Sequence, residues 1–293
     1  MQSHSETPPF DLNRQREKAE ILRALHKTPP LLTLPNAWDV ASAKIFEIEG
    51  FKAIGTTSAG ISATLGYPDG ERMTIEENAA VVQRIARHVN LPLNADLEAG
   101  YSASMEGLAR SVKIMLQAGA VGLNLEDSTG DQKNPLYELS IQAERLREVR
   151  KTAASEGIPA VLNARIDTYL TLTKPPQDLL RITIERAHAY LEAGADCVFI
   201  PTYLDQPGLL DQEAIVHLVT EIQGPVNLLA GAVTFSLAEL EALGVARVSV
   251  GPGPMRATLA LIRNMAKELL TKGTYTSFTN QTIPYSEVNQ WFL

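Results

Sequence analysis

The sequence predicts one α/β domain in which eight buried parallel strands alternate with helices and close into a (β/α)₈ barrel of the TIM type. Short continuous apolar runs recur along most of the 293 residues, and a segment with apolar residues at helical spacing follows each run. Helices that precede strands repeatedly end in glycine, which accommodates a left-handed C-cap. These glycines are Gly50, Gly119, Gly157, Gly194 and Gly244.

The elements are expected in a regular order after a leading helix at 12–26, which Pro29-Pro30 stops. An open doubly wound sheet is the alternative fold. However, Asn36-Ala37-Trp38-Asp39 follows the first strand where such a sheet would carry G-x-G-x-x-G. The predicted strands are 31–35, 52–55, 92–96, 121–125, 159–164, 197–200, 226–230 and 247–250, and the predicted helices are 39–49, 75–88, 104–118, 140–156, 178–193, 212–221, 236–243 and 255–270.

Three regions divide the chain. An N-terminal extension with the leading helix is expected at 1–30, the barrel and catalytic domain at 31–272, and a tail for subunit packing at 273–293. The tail does not continue the strand and helix alternation, and it is rich in aromatic residues. We expect it to dock on the barrel or on a second subunit. Its aromatic residues are Tyr275, Phe278, Tyr285, Trp291 and Phe292.

The composition limits the classes of partner. A net charge of −8 offers no basic stripe for phosphates, which argues against a nucleic-acid binder. No apolar run approaches a membrane-spanning length, and the polar start of the chain does not resemble a signal peptide. The single cysteine, Cys197, lies in an apolar run and is expected to be a buried core thiol. We therefore expect a cytoplasmic protein.

Carboxylates follow two neighbouring predicted strands. Asp96 and Glu98 come directly after the third strand, and Glu126-Asp127 ends the fourth. Buried acids at strand ends are costly unless their charge is compensated, and Mg²⁺ suits a sparse set of carboxylates. The alternative is that these acids are helix N-caps that face water.

Small residues follow the second strand. The segment Thr57-Ser58-Ala59-Gly60 could offer backbone N–H groups to an anion. Asp69 lies further along the same loop, which is expected to run from 56 to 72. The surrounding Gly66-Tyr67-Pro68-Asp69-Gly70 can equally be an ordinary β-turn.

Asn163 and Arg165 follow the fifth strand, with Asp167 nearby. A buried guanidinium needs an anion, and a bidentate carboxylate, such as that of a substrate, is its best partner. The alternative partner is a neighbouring acid of the chain itself.

The five histidines do not follow the predicted strands. His88, His188 and His217 fall in predicted helices, and His4 and His26 precede the barrel. A Ser-His-Asp triad or a histidine-built zinc site is therefore not expected. All five are expected to be surface or half-buried residues.

Five motifs resemble the isocitrate lyase/phosphoenolpyruvate mutase superfamily over residues 33 to about 260. The resemblance implies a (β/α)₈ barrel whose last helix is commonly swapped between subunits of a homodimer or homotetramer. It also implies Mg²⁺, with Mn²⁺ as a substitute, and small 2-oxo or 2-hydroxy acid substrates that react through an enolate. The motifs are NAWD at 36–39, TSAGISATLGYPDGE at 57–71, NADLEAGYS at 94–102, GLNLEDST at 122–129 and LNARIDTYL at 162–170.

The resemblance also implies roles for single residues. Asn94 stands where many members carry the first Asp of a D-x-D pair, and Glu98 is expected to replace that carboxylate. The predicted metal ligands are Asp96, Glu98 and Glu126; the predicted catalytic residues are Asp69, Arg165, Glu126, Lys133 and Asn134, the last two in a gating loop at 128–139; the predicted substrate-binding residues are Thr57, Ser58, Ala59, Gly60, Asn163 and Arg165.

Departures from the family pattern guide the choice of reaction. Residues 128–133 replace the K-K/R-C-G-H loop of the isocitrate and methylisocitrate lyases, and Pro201 stands near the position of a mutase histidine. We therefore predict a Mg²⁺-dependent carbon–carbon lyase or decarboxylase. The alternatives are a phosphonomutase or phosphonopyruvate hydrolase, which would need a nucleophile from the 128–139 loop at the metal, and a non-catalytic oxo-acid binder.

Overall fold

The strands form one parallel sheet that closes on itself. The computed structural model describes residues 10–27, 29–203, 209–231, 235–279 and 282–293. The sheet order is β1-β9-β8-β7-β6-β5-β4-β3-β2. In this described part of the chain the strands are β1 (Leu32–Leu34), β2 (Asn36–Ala37), β3 (Ile54–Thr56), β4 (Leu93–Asp96), β5 (Gly122–Glu126), β6 (Val161–Arg165), β7 (Cys197–Ile200), β8 (Val226–Leu229) and β9 (Arg247–Ser249).

Pro35 separates β1, which matches the first predicted strand, from β2, which lies in the segment that was expected to follow that strand. β1 pairs with β9 and β2 pairs with β3, so these two short strands join the two edges of the sheet. Proline has no N–H to donate to a neighbouring strand, which explains the break at this position. The predicted (β/α)₈ barrel is confirmed, and the strand boundaries agree with the predicted ones to within two residues.

Helices follow the strands at the predicted places, and their ends obey local rules. Thr74 caps one helix reciprocally: its hydroxyl accepts the Glu77 N–H at 3.2 Å, and the Glu77 carboxylate accepts the Thr74 N–H at 2.8 Å. All five predicted C-terminal glycines have positive φ. The described helices are α1 (Leu12–Leu25), α2 (Val40–Ile48), α3 (Ser58–Leu65), α4 (Ile75–His88), α5 (Met105–Gln117), α6 (Leu139–Ser155), α7 (Thr168–Thr171), α8 (Pro176–Glu192), α9 (Gln212–Ile222), α10 (Leu237–Ala242), α11 (Gly253–Lys272), α12 (Thr276–Thr279) and α13 (Tyr285–Gln290).

Two helices of the structure were not among the predicted helices. α3 occupies about half of the segment 56–72 that was expected to be a loop, and the short α7 follows β6. The stretch SAGISATL has small residues on all sides and no polar face, so apolar spacing gives no helical signal there. The local signal for this helix is its N-cap residue, Thr57, whose hydroxyl accepts the Gly60 N–H at 3.4 Å.

The leading helix α1 closes the N-terminal end of the barrel. Its Ala19 and Leu22 are fully buried among residues at the strand starts, including Val121 and Val161. Gly122 makes room for this contact, since a Cβ at that position would lie 2.7 Å from the Leu22 side chain. The contact of α1 with the bottom of the barrel is therefore largely apolar, and a helix from outside the repeat occupies this end.

The tail from residue 273 continues beyond the barrel as α12 and α13, in which no described residue is buried. None of the helices in the described ranges is both long and apolar enough to cross a membrane. Residues 1–9 of the predicted N-terminal extension at 1–30, with His4, lie outside the described residues.

His26 corrects the expectation of five surface or half-buried histidines, because only 5% of it is exposed. Its Nδ1 donates to the Leu22 carbonyl at 2.7 Å, and Arg247 donates to its Nε2 at 3.4 Å. A carbonyl only accepts and a guanidinium only donates, so His26 is the neutral tautomer with its proton on Nδ1. Burial, followed by the charge of Arg247, lowers the pKa of His26 from 6.5 to about 4.

We expect the unfolding free energy of the protein to fall as the pH drops from about 6.5 to about 4. The unfolded chain binds a proton at His26 in this window and the folded chain does not, so the stability that neutral His26 contributes is complete above the window and is lost within it. The loss is on the order of 3 kcal/mol. Urea unfolding of the wild type and of His26→Gln at pH 7 and pH 4.5 measures it as a difference between the two proteins.

His88→Gln is the matched control, because His88 is exposed on α4. A pH dependence in His26→Gln equal to that of both the wild type and His88→Gln would contradict the assignment.

Candidate active site

A cavity of about 340 Å³ opens at the C-terminal ends of the strands, where function was expected from the barrel fold. One part of its wall is polar and includes side chains predicted from three separate motifs. The opposite part is mainly apolar, and its polar members are Thr202, Tyr203, Ser249 and Arg256. The polar wall includes Thr57, Ser58, Asp69, Asp96, Asn124 and Arg165, and the apolar wall includes Leu170, Phe199, Pro201 and Leu229.

The start of α3 forms one side of the cavity. The Ser58 N–H donates to Asp96 Oδ2 at 3.0 Å, and the Asp96 N–H donates to the Thr56 hydroxyl at 2.9 Å. Ala59 also lines the cavity, whereas Gly60 does not. A Cβ on Gly60 would lie 2.7 Å from Trp38, so this glycine serves close packing of α3 against the chain after β2.

Asp69 lies at the open rim of the cavity. Partial burial, followed by the charge of Asp96, raises its pKa, while a hydrogen bond from Ser58 opposes the shift. The turn at 66–70, which was one of two interpretations of this stretch, therefore places its carboxylate at the predicted site.

Glu98 is 3% exposed, and both of its carboxylate oxygens have partners in the chain. The Glu71 N–H donates to Oε2 at 2.7 Å, and the Tyr101 hydroxyl donates to Oε1 at 2.6 Å. Burial raises the pKa of Glu98 to about 7, and the charge of Asp96 adds to the shift. The Glu98 side chain thus lies behind Asp96 and does not line the cavity.

Arg165 pairs with two acids of the chain itself, which was the alternative to a free anion as its partner. It contacts Glu126 at 2.7 Å and is bidentate to Asp167, with distances of 2.6 and 3.0 Å. Three of its five N–H donors are used in this way, and two remain for another acceptor. The Arg165 side chain is 21% exposed and lines the cavity.

Of the two acids at the end of β5, Glu126 pairs with Arg165 but is not among the residues that line the cavity. Asp127 is fully buried and accepts from Arg186 at 3.0 Å, from the Tyr190 hydroxyl at 2.8 Å and from the Asp167 N–H at 2.8 Å. Asp127 therefore ties β5 to α8 and to the chain after β6. Burial raises the pKa of Glu126 well above its usual value, and the charge of Arg165 opposes this shift.

Amide side chains form a layer inside the barrel beneath the cavity. Asn94 and Asn163 both donate to Asn124 Oδ1 at 2.8 Å. Only Asn124 of these three lines the cavity, so Asn163 supports a lining residue and does not reach the cavity itself. Alternation along β5 could have identified Asn124, since its side chain points in the same direction as that of Glu126 two residues later.

Lys133 and Asn134 are not brought to the cavity. Both are exposed in the loop after β5, where the Lys133 N–H donates to Asp131 at 2.9 Å. Arg256, an exposed residue of α11 at the rim, was not predicted, and neither was the apolar wall apart from Pro201. The apolar wall comes from strand-end residues that resemble ordinary core positions in the sequence.

Of the three predicted metal ligands, Asp96, Glu98 and Glu126, only Asp96 lines the cavity. Within the described ranges, no three His, Cys, Asp or Glu side chains gather in a metal-binding arrangement. However, the charge of Asp96 adds to the effect of burial in raising the pKa of Asp69, Glu98 and Glu126 alike. A cation beside Asp96 would relieve this repulsion, and Mg²⁺ suits one or two carboxylates because it keeps several water ligands. Asp96 is the carboxylate best placed to contact it.

A family model described as phosphoenolpyruvate phosphomutase matches residues 22–270. An uncharacterised protein of Mycobacterium tuberculosis H37Rv is 35% identical over 265 residues, which cover 90% of this chain and 93% of that protein. The 2-methylisocitrate lyase of Bacillus subtilis 168 is 30% identical over 194 residues, which cover 63% of this chain and 60% of that enzyme.

Proteins of known structure are also similar to this chain. A Burkholderia cenocepacia J2315 protein provisionally described as a lyase/mutase is 34% identical, with a TM-score of 0.86 over 96% of this chain and 97% of that one. A phosphonopyruvate hydrolase in complex with oxalate and Mg²⁺ is 23% identical and shares the fold, with a TM-score of 0.80 over 94% of each chain. The chain therefore belongs to the phosphoenolpyruvate phosphomutase family, within the isocitrate lyase/phosphoenolpyruvate mutase superfamily.

Proposed function

We propose that the protein is a Mg²⁺-dependent lyase or decarboxylase that breaks a carbon–carbon bond in a small 2-oxo or 2-hydroxy acid. The observation that carries the proposal is the division of one cavity into a wall with Asp96, Asp69 and Arg165 and an opposite apolar wall. The polar wall suits the oxo-acid end of a substrate and the apolar wall suits its carbon skeleton. The similarity to a 2-methylisocitrate lyase agrees with this class of reaction.

The polar wall assigns a position to each end of the oxo-acid group. The two remaining N–H donors of Arg165 would bind the substrate carboxylate, and the first turn of α3 would add the backbone N–H group of Ala59. The N–H groups of Thr57 and Ser58 already donate to the Ala37 carbonyl and to Asp96. Mg²⁺ bound at Asp96 would supply a Lewis acid that polarises the oxo or hydroxyl oxygen.

Asp69 is the proposed proton acceptor. In a 2-hydroxy acid the O–H proton leaves, a C=O bond forms at C2, and the C2–C3 bond breaks so that its electron pair forms the enolate of the second product. A raised pKa suits a carboxylate that must take up this proton, and Asp69 has one because of its partial burial and the nearby charge of Asp96. In a 2-oxo acid that loses carbon dioxide, Asp69 or a water would instead return a proton to the enolate.

The apolar wall argues for carbon–carbon rather than phosphorus–carbon chemistry. Phe199 and Leu229 pack against each other and are 7% and 9% exposed. A phosphonate dianion beside this wall would need cationic partners there, whereas the two arginines that line the cavity lie elsewhere, Arg165 on the polar wall and Arg256 at the rim. Phosphonomutase or phosphonopyruvate hydrolase activity is therefore the second candidate, and a non-catalytic oxo-acid binder is the third.

We also propose that the protein forms a homodimer or homotetramer through α11. Met255 is the only buried residue among the 20 of this helix. Leu259 and Ile262 are 51% and 54% exposed, and they line an apolar groove together with Phe46 of α2. Apolar side chains in such number on one helix indicate an interface, and a second copy of α11 is the proposed occupant.

A substrate panel tests the reaction. Purified protein with Mg²⁺ is incubated with oxaloacetate, 2-oxoglutarate, methylisocitrate, phosphonopyruvate and phosphoenolpyruvate, and products are followed by ¹H and ³¹P NMR. We expect a product of carbon–carbon cleavage and unchanged ³¹P spectra. A changing phosphonate signal would favour the second candidate, and saturable binding without turnover would favour the binder.

Asp96→Asn tests the metal site. We expect a loss of Mg²⁺ binding in calorimetry and a fall in rate of at least about 100-fold, because the substitution removes the charged oxygen that would contact the cation. Glu106→Gln is the matched control: Glu106 is an exposed acid in the first turn of α5, so its loss should change neither quantity. Unaltered Mg²⁺ affinity in Asp96→Asn would rule out this ligand.

Leu259→Glu and Ile262→Glu together test the assembly. Sedimentation velocity of the wild type is expected to show at least a dimer, and the double variant is expected to dissociate because two charges would be buried in an apolar contact. The control is Leu237→Glu on α10, which replaces a leucine of 43% exposure outside the groove. A monomeric wild type would contradict the proposal.

A further inference from the structure

Three residues beside the cavity adopt a left-handed backbone conformation that non-glycine residues rarely use. They are Glu71 with φ of 56°, Glu98 with φ of 50° and Tyr101 with φ of 59°. In the described ranges, Gln223 at the end of α9 is the remaining non-glycine residue with positive φ. Each such conformation costs on the order of 1–3 kcal/mol and persists only where surrounding contacts enforce it. Their clustering at one site therefore calls for a local cause.

The cause is a closed set of hydrogen bonds among the same three residues, which we name the loop brace. The Glu71 N–H donates to Glu98 at 2.7 Å, and the Tyr101 hydroxyl donates to the other Glu98 oxygen at 2.6 Å. The Tyr101 N–H in turn donates to the Glu71 carboxylate at 2.6 Å. Each left-handed residue thus makes hydrogen bonds to both of the others.

Two buried side chains fix the brace to the barrel helices. Asn78 of α4 is fully buried and donates both to the Tyr101 hydroxyl at 3.0 Å and to the Asp96 carbonyl at 3.2 Å. Arg145 of α6 donates to the Ala99 carbonyl and, at 3.0 Å, to the Ser102 carbonyl. The segment from 96 to 102 is therefore held from two sides, which is the condition for retaining strained residues.

The brace joins the two loops that carry the cavity's acids. Glu71 lies two residues after Asp69, and Glu98 lies two residues after Asp96, while the two loops are otherwise separated by α4. Because 27 residues separate Glu71 from Glu98, their hydrogen bond fixes the end of one loop against the other.

We propose that the loop brace is a positioning device that sets Asp69 at its place opposite Asp96. It deepens the proposed function, because it assigns Glu71, Glu98 and Tyr101 to the geometry of the same site. In this assignment Glu98 acts through its hydrogen bonds to the two loops. None of the three lines the cavity, so they are positioning residues and not catalytic ones.

Tyr101→Phe tests the brace by removing one hydroxyl while retaining the ring. We expect faster amide hydrogen exchange over 66–73 and a kcat reduced by up to about 100-fold at nearly unchanged KM, since displaced acids impair the reaction more than substrate binding. Tyr67→Phe is the matched control. Its hydroxyl lies in the same loop and donates to the exposed Glu77 at 2.9 Å, outside the brace.

A second pair of variants separates positioning from folding. Glu71→Gln keeps an oxygen for the Tyr101 N–H and should retain the exchange protection of the wild type, whereas Glu71→Ala should lose it. Wild-type exchange over 66–73 in both Tyr101→Phe and Glu71→Ala would overturn the proposal. The exchange measurement needs no substrate, so a wild type that turns over nothing would refute the proposed function and leave the test of the brace intact.

Discussion

The site depends on holding several carboxylates close together around one mostly buried guanidinium. Like charges in a low-dielectric region raise one another's pKa, and each acid therefore needs its own source of stabilisation. Arg165 supplies it for Glu126 and Asp167, whereas backbone N–H groups supply it for Asp96 and Glu98. The loops that follow β3 and β4 are shaped by this requirement, because their peptide groups must point towards the acids.

Much of the fold could be predicted from the sequence because each strand and helix carries a local signal. Apolar runs located the strands, and glycines with positive φ marked helix ends that the structure reproduces. The exceptions have identifiable reasons. α3 lacks an apolar stripe because its residues are small, and the burial of His26 depends on Arg247, which lies 221 residues away in the sequence.

The candidate site could be predicted only in outline. Acids at strand ends and an arginine after an apolar run are visible in the sequence, and the structure places Asp69, Asp96 and Arg165 on one cavity. The roles of the remaining residues depend on pairings across the chain. Nothing local distinguishes Glu98, whose oxygens are both engaged, from Asp96. Asn163 and Asn124 are register partners on neighbouring strands, yet Asn163 donates to Asn124 and only Asn124 lines the cavity.

The contact between α1 and the barrel floor ties two distant parts of the sequence to each other. Gly122 in β5 lacks a side chain where Leu22 of α1 enters, so the two positions fill one volume between them. A relative without the leading helix would face an empty space beneath its amide layer unless a larger residue replaced this glycine. Among family members, a larger residue at one of these two positions should therefore accompany a smaller residue at the other. Substitutions in the first helix and in β5 are expected to be coupled in this way during evolution.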